Sequence, residues 1–171
     1  MKSNFDFLNR YWPALAQIGA TAETYVYSDP NACIYKLGMF AERLVQEILV
    51  FEHIAEPAVD NTHANRIRIL KRAGLLPHEI DNTLYVLRKT RNTAVHTGTD
   101  SVDEAKTLLS LTYNLAVWFM ETYGDWGYIA PEFVMPSETT HEDLESVIAE
   151  HKRTLFCLPR QERFFLAFWA K

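Results

Sequence analysis

The chain has 171 residues, of which 48% are hydrophobic and 23% charged, and its formal net charge at pH 7 is -5. That length suits one domain with a buried core plus a short appendage. The net negative charge removes any bulk electrostatic argument for nucleic-acid binding, although a local basic patch is still compatible with it.

The cysteines and histidines show no pattern of a disulfide framework or a metal site. Cys33 and Cys157 share no motif, and the six histidines are scattered without ligand spacing. We therefore expect no bound metal and a reducing, cytoplasmic environment. Apolar clusters such as residues 115–120 are far too short to span a bilayer, so no membrane association is expected.

Apolar residues recur three and four positions apart through most of the chain, which predicts helices. In chain order, the predicted helices cover about residues 13–25, 30–53, 61–73, 77–98 and 101–124. Asp29 before Pro30 is an N-cap pattern, and Ser101 with Glu104 has capping-box spacing. Gly74 and Gly98 follow the third and fourth helices.

The predicted fold class is all-α, an antiparallel bundle of about five helices over residues 1–136. Within it, residues 125–136 are rich in Gly, Pro and aromatic residues, and 133–135 could form a short extended piece. Residues 137–171 are predicted to be a second region, a polar linker with a charged linker helix over about 142–153 and an apolar tail at 164–169. Such a tail needs burial against the domain or another chain, and its abrupt end is typical of a fragment of a longer protein.

Arg91 lies in the centre of the apolar stripe of the fourth helix. Each helical residue advances about 100° around the axis, so Arg91 shares the buried face, whereas Asn92 and His96 lie toward the opposite side. Arg91 and His96 point about 140° apart on one helix. A site shared by these two side chains would need an unwound helix end or two chains.

A guanidinium in a core stays charged and needs carboxylate or carbonyl partners. One interpretation makes Arg91 an internal clamp to the second helix, with Glu42 and Glu47 as candidate acids. The alternative is that Arg91 lines a cleft or a dimer seam and contacts phosphate.

The third helix also carries a cluster of cations. Its members are Arg66, Arg68, Lys71 and Arg72, which Arg88 and Lys89 of the fourth helix could extend. Such a cluster is either a solvated helix surface or a patch that follows the phosphates of DNA or RNA.

Residues 91–96, Arg-Asn-Thr-Ala-Val-His, resemble the Arg-x4-6-His signature of the HEPN superfamily. Further segments resemble, in order, the start of the restriction (HsdR) subunit of type I restriction-modification enzymes. These segments are residues 2–8, 27–30, 36–42, 115–118 and 131–136. The resemblance covers about residues 2–136 and implies the N-terminal, HEPN-like helical domain of that DNA-translocating endonuclease subunit.

The resemblance implies an accessory domain that serves nucleic-acid handling or subunit docking. Its partners would be DNA or RNA and the methyltransferase and specificity subunits of a restriction complex. A nuclease domain and an ATP motor would follow in an intact subunit, so ATP and Mg²⁺ are expected only there. This chain has no Gly-x4-Gly-Lys-Ser/Thr loop to cradle a phosphate, and no cofactor is expected in it.

The same resemblance leaves open whether the chain is an enzyme. In catalytic HEPN proteins an Arg and a His from two protomers form a metal-independent ribonuclease site, which would assign Arg91 and His96, with Asn92 supporting them. A third interpretation, motivated by the apolar tail, is a structural module that forms a homodimer.

Overall fold

The computed structural model describes residues 3–97 and 101–138, with residues 95–97 described through their backbone alone. A 3-10 helix at Asp6–Arg10 precedes five α-helices. These are α1 (Pro13–Tyr25), α2 (Pro30–Phe51), α3 (His63–Arg72), α4 (His78–Thr97) and α5 (Val102–Tyr123). The described residues contain no strand, so the predicted all-α class and five-helix bundle are confirmed.

The chain divides into two units, Met1–Pro136 and Ser137–Lys171, and the architecture below is that of the first. The predicted linker helix at 142–153 and the apolar tail at 164–169 lie outside the described residues.

Three helices begin at polar caps, and the sequence already indicated two of these, Asp29 and Ser101. Asp29 Oδ1 accepts a hydrogen bond from the Ala32 backbone N–H at 2.9 Å. At the start of α3, Thr62 Oγ1 accepts from the Asn65 N–H at 3.3 Å. At the start of α5, Ser101 Oγ accepts from the Glu104 N–H at 3.2 Å. Each cap satisfies a backbone donor that the first helical turn leaves without a partner, which explains why the predicted starts of these helices agree with the structure.

Helix α2 is the centre of the bundle and contacts α1, α3, α4 and α5. Its apolar residues are buried around more than one face, as expected for a helix surrounded by others. The fully buried set on α2 includes Leu37, Phe40, Ala41, Leu44, Val45 and Ile48. The N-terminal segment adds Phe5, whose ring lies 5.3 Å from that of Phe40 and occupies the space where a side chain on Gly19 would sit.

Residues 133–135, a candidate for an extended piece, form no strand. The backbone of Val134 is hydrogen-bonded to the side chain of Asn4 instead. Asn4 Nδ2 donates to the Val134 carbonyl and the Val134 N–H donates to Asn4 Oδ1, both at 2.8 Å. Tyr27 Oη also donates to the Pro136 carbonyl at 2.8 Å. One asparagine thus provides the paired donor and acceptor that a neighbouring strand would have supplied.

Candidate functional site

Helix α4 places Arg91 across α2 at Gly38. A Cβ added to Gly38 would lie 2.5 Å from Arg91 Cδ and 2.6 Å from Cγ, so the absence of a side chain there makes room for the arginine stem. Arg91 Nη1 lies 3.6 Å from Glu42 Oε2, and the guanidinium carbon lies 5.2 Å from the centre of the Tyr35 ring. The Arg91 side chain is 25% exposed and therefore sits at the edge of the core.

Arg91 thus bridges α4 to α2 through Glu42, one of the two predicted partners. The other predicted partner, Glu47, forms an ion pair with Arg43 on its own helix at 2.7 Å. The Nε atom of Arg91 is buried and has no hydrogen-bond partner.

Arg66 on α3 lies in the interior and holds α3, α2 and the loop between them together. Its side chain is 7% exposed, and Nε and Nη1 contact Glu56 Oε2 at 2.8 Å and Glu42 Oε1 at 3.3 Å. Nη2 donates to Asn61 Oδ1. Because Glu42 faces both arginines, one carboxylate connects α2, α3 and α4. Arg66 is therefore separate from the exposed cations with which the sequence grouped it.

His63, the first residue of α3, is buried beside this cluster, with 9% of its surface exposed. Neither ring nitrogen has a hydrogen-bond partner. Burial lowers the pKa of His63 to about 4; the Glu42 carboxylate opposes that shift, whereas Arg91, Arg66 and Arg88 add to it. The imidazole is therefore neutral at pH 7. Sequence reasoning missed this histidine, although it precedes the buried Ile67 by one helical turn.

Two exposed cations, Arg68 and Lys71, and the half-buried Arg88 lie along a groove of about 170 Å³ between α3 and α4. Ala64 and Ile67 contribute apolar lining, and the charged and aromatic lining comes from Arg68, Lys71, Asp81, Tyr85 and Arg88. Lys71 Nζ lies 2.5 Å from Asp81 Oδ2, which joins the two helices across the groove. Arg72, at the end of α3, is exposed, and so is Lys89 on α4. The structure thus places Arg68, Lys71 and Arg88 around one concave surface.

The two remaining predicted site residues lie on α4 beyond Arg91. Asn92 is exposed, and His96 belongs to the last turn of the helix, but its side chain lies outside the described residues. Among the described residues there is no group of three His, Cys, Asp or Glu side chains that could hold a metal ion. Within the same ranges no helix has both the length and the hydropathy of a membrane span.

Residues 20–145 match the family described as a domain of unknown function, DUF4145. The chain belongs to the DUF4145 family. The matched range contains all of α2 to α5. It therefore includes Glu42 with its two arginine partners, Arg66 and Arg91, and the α3–α4 groove.

This DUF4145 chain is also similar to the type I restriction enzyme EcoKI endonuclease subunit of Escherichia coli strain K12. The two are 27% identical over 177 residues, which covers 97% of this chain and 15% of that subunit. The chain therefore spans about a seventh of the length of this relative. No solved structure matches the chain.

Proposed function

We propose that this DUF4145 chain is the N-terminal, HEPN-like accessory domain of a type I restriction endonuclease subunit. In that complex it contacts DNA and has no ATPase or nuclease core of its own. The observation that carries the proposal is the similarity to the EcoKI endonuclease subunit, which extends over 97% of the chain.

The α3–α4 surface supports a role in DNA contact. Arg68 and Lys71 have side chains that are 56% and 62% exposed, and Arg88 lines the same groove. These cations are concentrated on one side of a chain whose net charge is -5. Phosphates bind such local clusters, because each contact releases a condensed counterion into solution.

Duplex binding tests the proposal. A chain with Arg68, Lys71 and Arg88 all changed to Gln is compared with one carrying Arg10→Gln, Arg43→Gln and Lys106→Gln, which removes the same charge elsewhere. Fluorescence anisotropy with a labelled duplex across a salt series should show weaker binding by the first variant. Its salt slope should fall by about 0.9 for each phosphate that the variant no longer neutralises.

Equal weakening in the two variants, or no duplex binding at low salt, would contradict DNA contact through this surface.

The place in the complex is tested separately, by purifying the native polypeptide that carries this domain from its host. Methyltransferase and specificity subunits should co-purify in fixed ratio, and their absence would contradict the assignment to a restriction complex.

A metal-independent HEPN ribonuclease is the second candidate. The observation that favours it is Arg91, whose Nε has no partner and whose side chain reaches the surface beside the exposed Asn92. In this proposal His96 takes the proton of a ribose 2′-hydroxyl, the 2′-oxygen bonds to the adjacent phosphorus as the bond to the 5′-oxygen breaks, and the departing 5′-oxygen takes a proton from water. Arg91 stabilises the negative charge that develops on the phosphorane oxygens. Positions 91 and 96 are about 140° apart around an ideal helix, so a shared site would need an unwound helix end or residues of two protomers.

This candidate predicts RNA cleavage in EDTA that disappears in both Arg91→Ala and His96→Ala. Arg91 also bridges two helices, so Glu42→Gln serves as the control, because it loosens the same contact and leaves both proposed catalytic residues in place. Intact RNA at high protein concentration would rule out the ribonuclease.

A further inference from the structure

We propose that the α3–α4 groove binds one unpaired nucleotide of single-stranded DNA. The base lies against Tyr85, and the flanking phosphates lie on Arg68, Lys71 and Arg88. This inference rests on the proposed function: the same cations contact the phosphates of a duplex, and the groove adds a contact that only an unpaired base can make.

Tyr85 is the residue that points to a base. Its side chain is 53% exposed although it lines a concave surface, and the Arg88 guanidinium carbon lies 5.8 Å from the centre of its ring. An exposed aromatic ring beside an arginine is the arrangement on which proteins stack unpaired bases. In a double helix the faces of the bases are covered by their neighbours, so this contact requires a single strand or an extruded base.

The charges of the groove favour a phosphate-bearing ligand over a neutral aromatic one. Three cations line it against one lining acid, Asp81, which pairs with Lys71. A second acid, Asp60, does not line the groove, and its Oδ2 lies 4.0 Å from Arg68 Nη2. Arg68 Nε donates to Asn65 Oδ1 at 3.1 Å, which fixes the guanidinium on the α3 side of the groove. No carboxylate among the described residues lies within 4 Å of Arg88. Arg88 is therefore the cation best placed to bind a phosphate.

The groove has room for a single ring system and cannot enclose a duplex. Its volume is about 170 Å³, and a cavity of about 150 Å³ is enough to hold a benzene ring. Ala64 and Ile67 give the groove an apolar lining against which the plane of a base can lie.

The chain offers a matched control. Tyr11 is 41% exposed and carries Arg10 at 5.0 Å from its ring centre, so it has the same tyrosine–arginine contact, but it does not line this groove. A stacking effect that belongs to the groove should appear at Tyr85 and not at Tyr11.

The test is fluorescence anisotropy of a labelled oligothymidylate with the complete chain. Tyr85→Ala should weaken binding about thirtyfold, the middle of the range for loss of one base–aromatic stack, whereas Tyr85→Phe should keep the affinity of the unchanged chain. Tyr11→Ala should bind as the unchanged chain does. An abasic oligonucleotide of the same length keeps the phosphates, and its weaker binding should be insensitive to Tyr85→Ala.

A second variant is expected to increase the affinity for the oligonucleotide, a result that an unfolded chain would not give. Asp81→Asn removes the only acid that lines the groove in the described part of the chain, so both the normal and the abasic strand should bind more tightly. Unchanged or weaker binding by a folded Asp81→Asn chain would contradict the role of the groove in holding phosphates.

Unchanged oligothymidylate binding by Tyr85→Ala would overturn the stacked base, and salt-dependent duplex binding in the same preparation would leave the proposed function standing. Unchanged oligothymidylate binding by Tyr85→Ala together with no salt-dependent duplex binding would overturn both proposals. Displacement of the oligonucleotide by polyglutamate at equal charge concentration would assign the groove to an acidic peptide instead. Tenfold tighter binding of oligouridylate would assign it to RNA.

Discussion

The carboxylate of Glu42 faces two arginines, and a pair of double-mutant cycles should show that its coupling to Arg66 is the stronger. The cycles use Glu42→Ala with Arg66→Ala and Glu42→Ala with Arg91→Ala. The separations, 3.3 Å and 3.6 Å, differ so little that the Coulomb energies differ by only about a tenth. Distance therefore does not decide between the two pairs.

Burial decides between them, because Arg66 is 7% exposed and Arg91 is 25% exposed. Breaking a fully buried pair costs about 3–5 kcal/mol and an exposed pair contributes about 0.2–1 kcal/mol. Glu42 is itself 32% exposed, and Arg66 keeps Glu56 as a second acid. We expect a coupling of about 1–2 kcal/mol for Glu42 with Arg66 and about 0.5 kcal/mol for Glu42 with Arg91.

Urea unfolding followed by far-ultraviolet circular dichroism gives the free energies. The Arg43–Glu47 pair on α2, an i,i+4 contact, serves as the surface reference and should give about 0.3–0.5 kcal/mol. A coupling to Arg91 that equals or exceeds the coupling to Arg66 would refute the reasoning from burial. It would also mean that Arg91 is a structural clamp, held too firmly by Glu42 to serve a phosphate.

Three further outcomes are expected. Gly38→Ala should lower the free energy of unfolding by up to about 2 kcal/mol, since overpacking against the Arg91 stem outweighs the gain in helix propensity; in an Arg91→Ala background urea titrations should show a smaller loss, because Cγ and Cδ are removed while the Cβ at position 91 still lies 2.8 Å from the added methyl group. Because the pKa of His63 is lowered from 6.5 to about 4, the unfolded chain takes up a proton first as the pH falls. Between these two values stability should drop by up to about 3 kcal/mol, and a His63→Gln chain should lack that slope in unfolding titrations repeated over this range. Burial, with the nearby Asp29 and Glu23 carboxylates, raises the pKa of the Cys33 thiol to about 12. In a Cys157→Ser chain, Ellman's reagent should therefore label Cys33 only once denaturant is added, and rapid labelling of the native chain would contradict its burial.

The sequence predicted the helices well because their signals are local. Asp29, Thr62 and Ser101 each bond to the backbone three residues on, so the cap and its helix can be identified together. The N-terminal 3-10 helix was not predicted. It is five residues long, and no side-chain cap marks its start.

The candidate site was harder to predict because its contacts join distant parts of the chain. Arg66 reads as one of several cations on a short helix, and its burial depends on Glu42 and Glu56, which lie 24 and 10 residues away. The spacing of Arg66 from the buried Leu70, one helical turn, was the available signal. The groove combines Lys71 of α3 with Asp81 and Tyr85 of α4, and no pattern within either helix reveals how the two helices approach.

The contact between Asn4 and Val134 has a mechanical consequence. It joins residues 130 positions apart by two hydrogen bonds of 2.8 Å, so the two ends of the bundle meet at one point. Tension applied through residues 4 and 136 would load the Tyr27–Pro136 hydrogen bond first and then the two Asn4–Val134 bonds together. The hydrogen bond from Tyr113 to the Pro131 carbonyl would follow, so the segment after α5 would detach from the bundle one contact at a time while the helices stay packed.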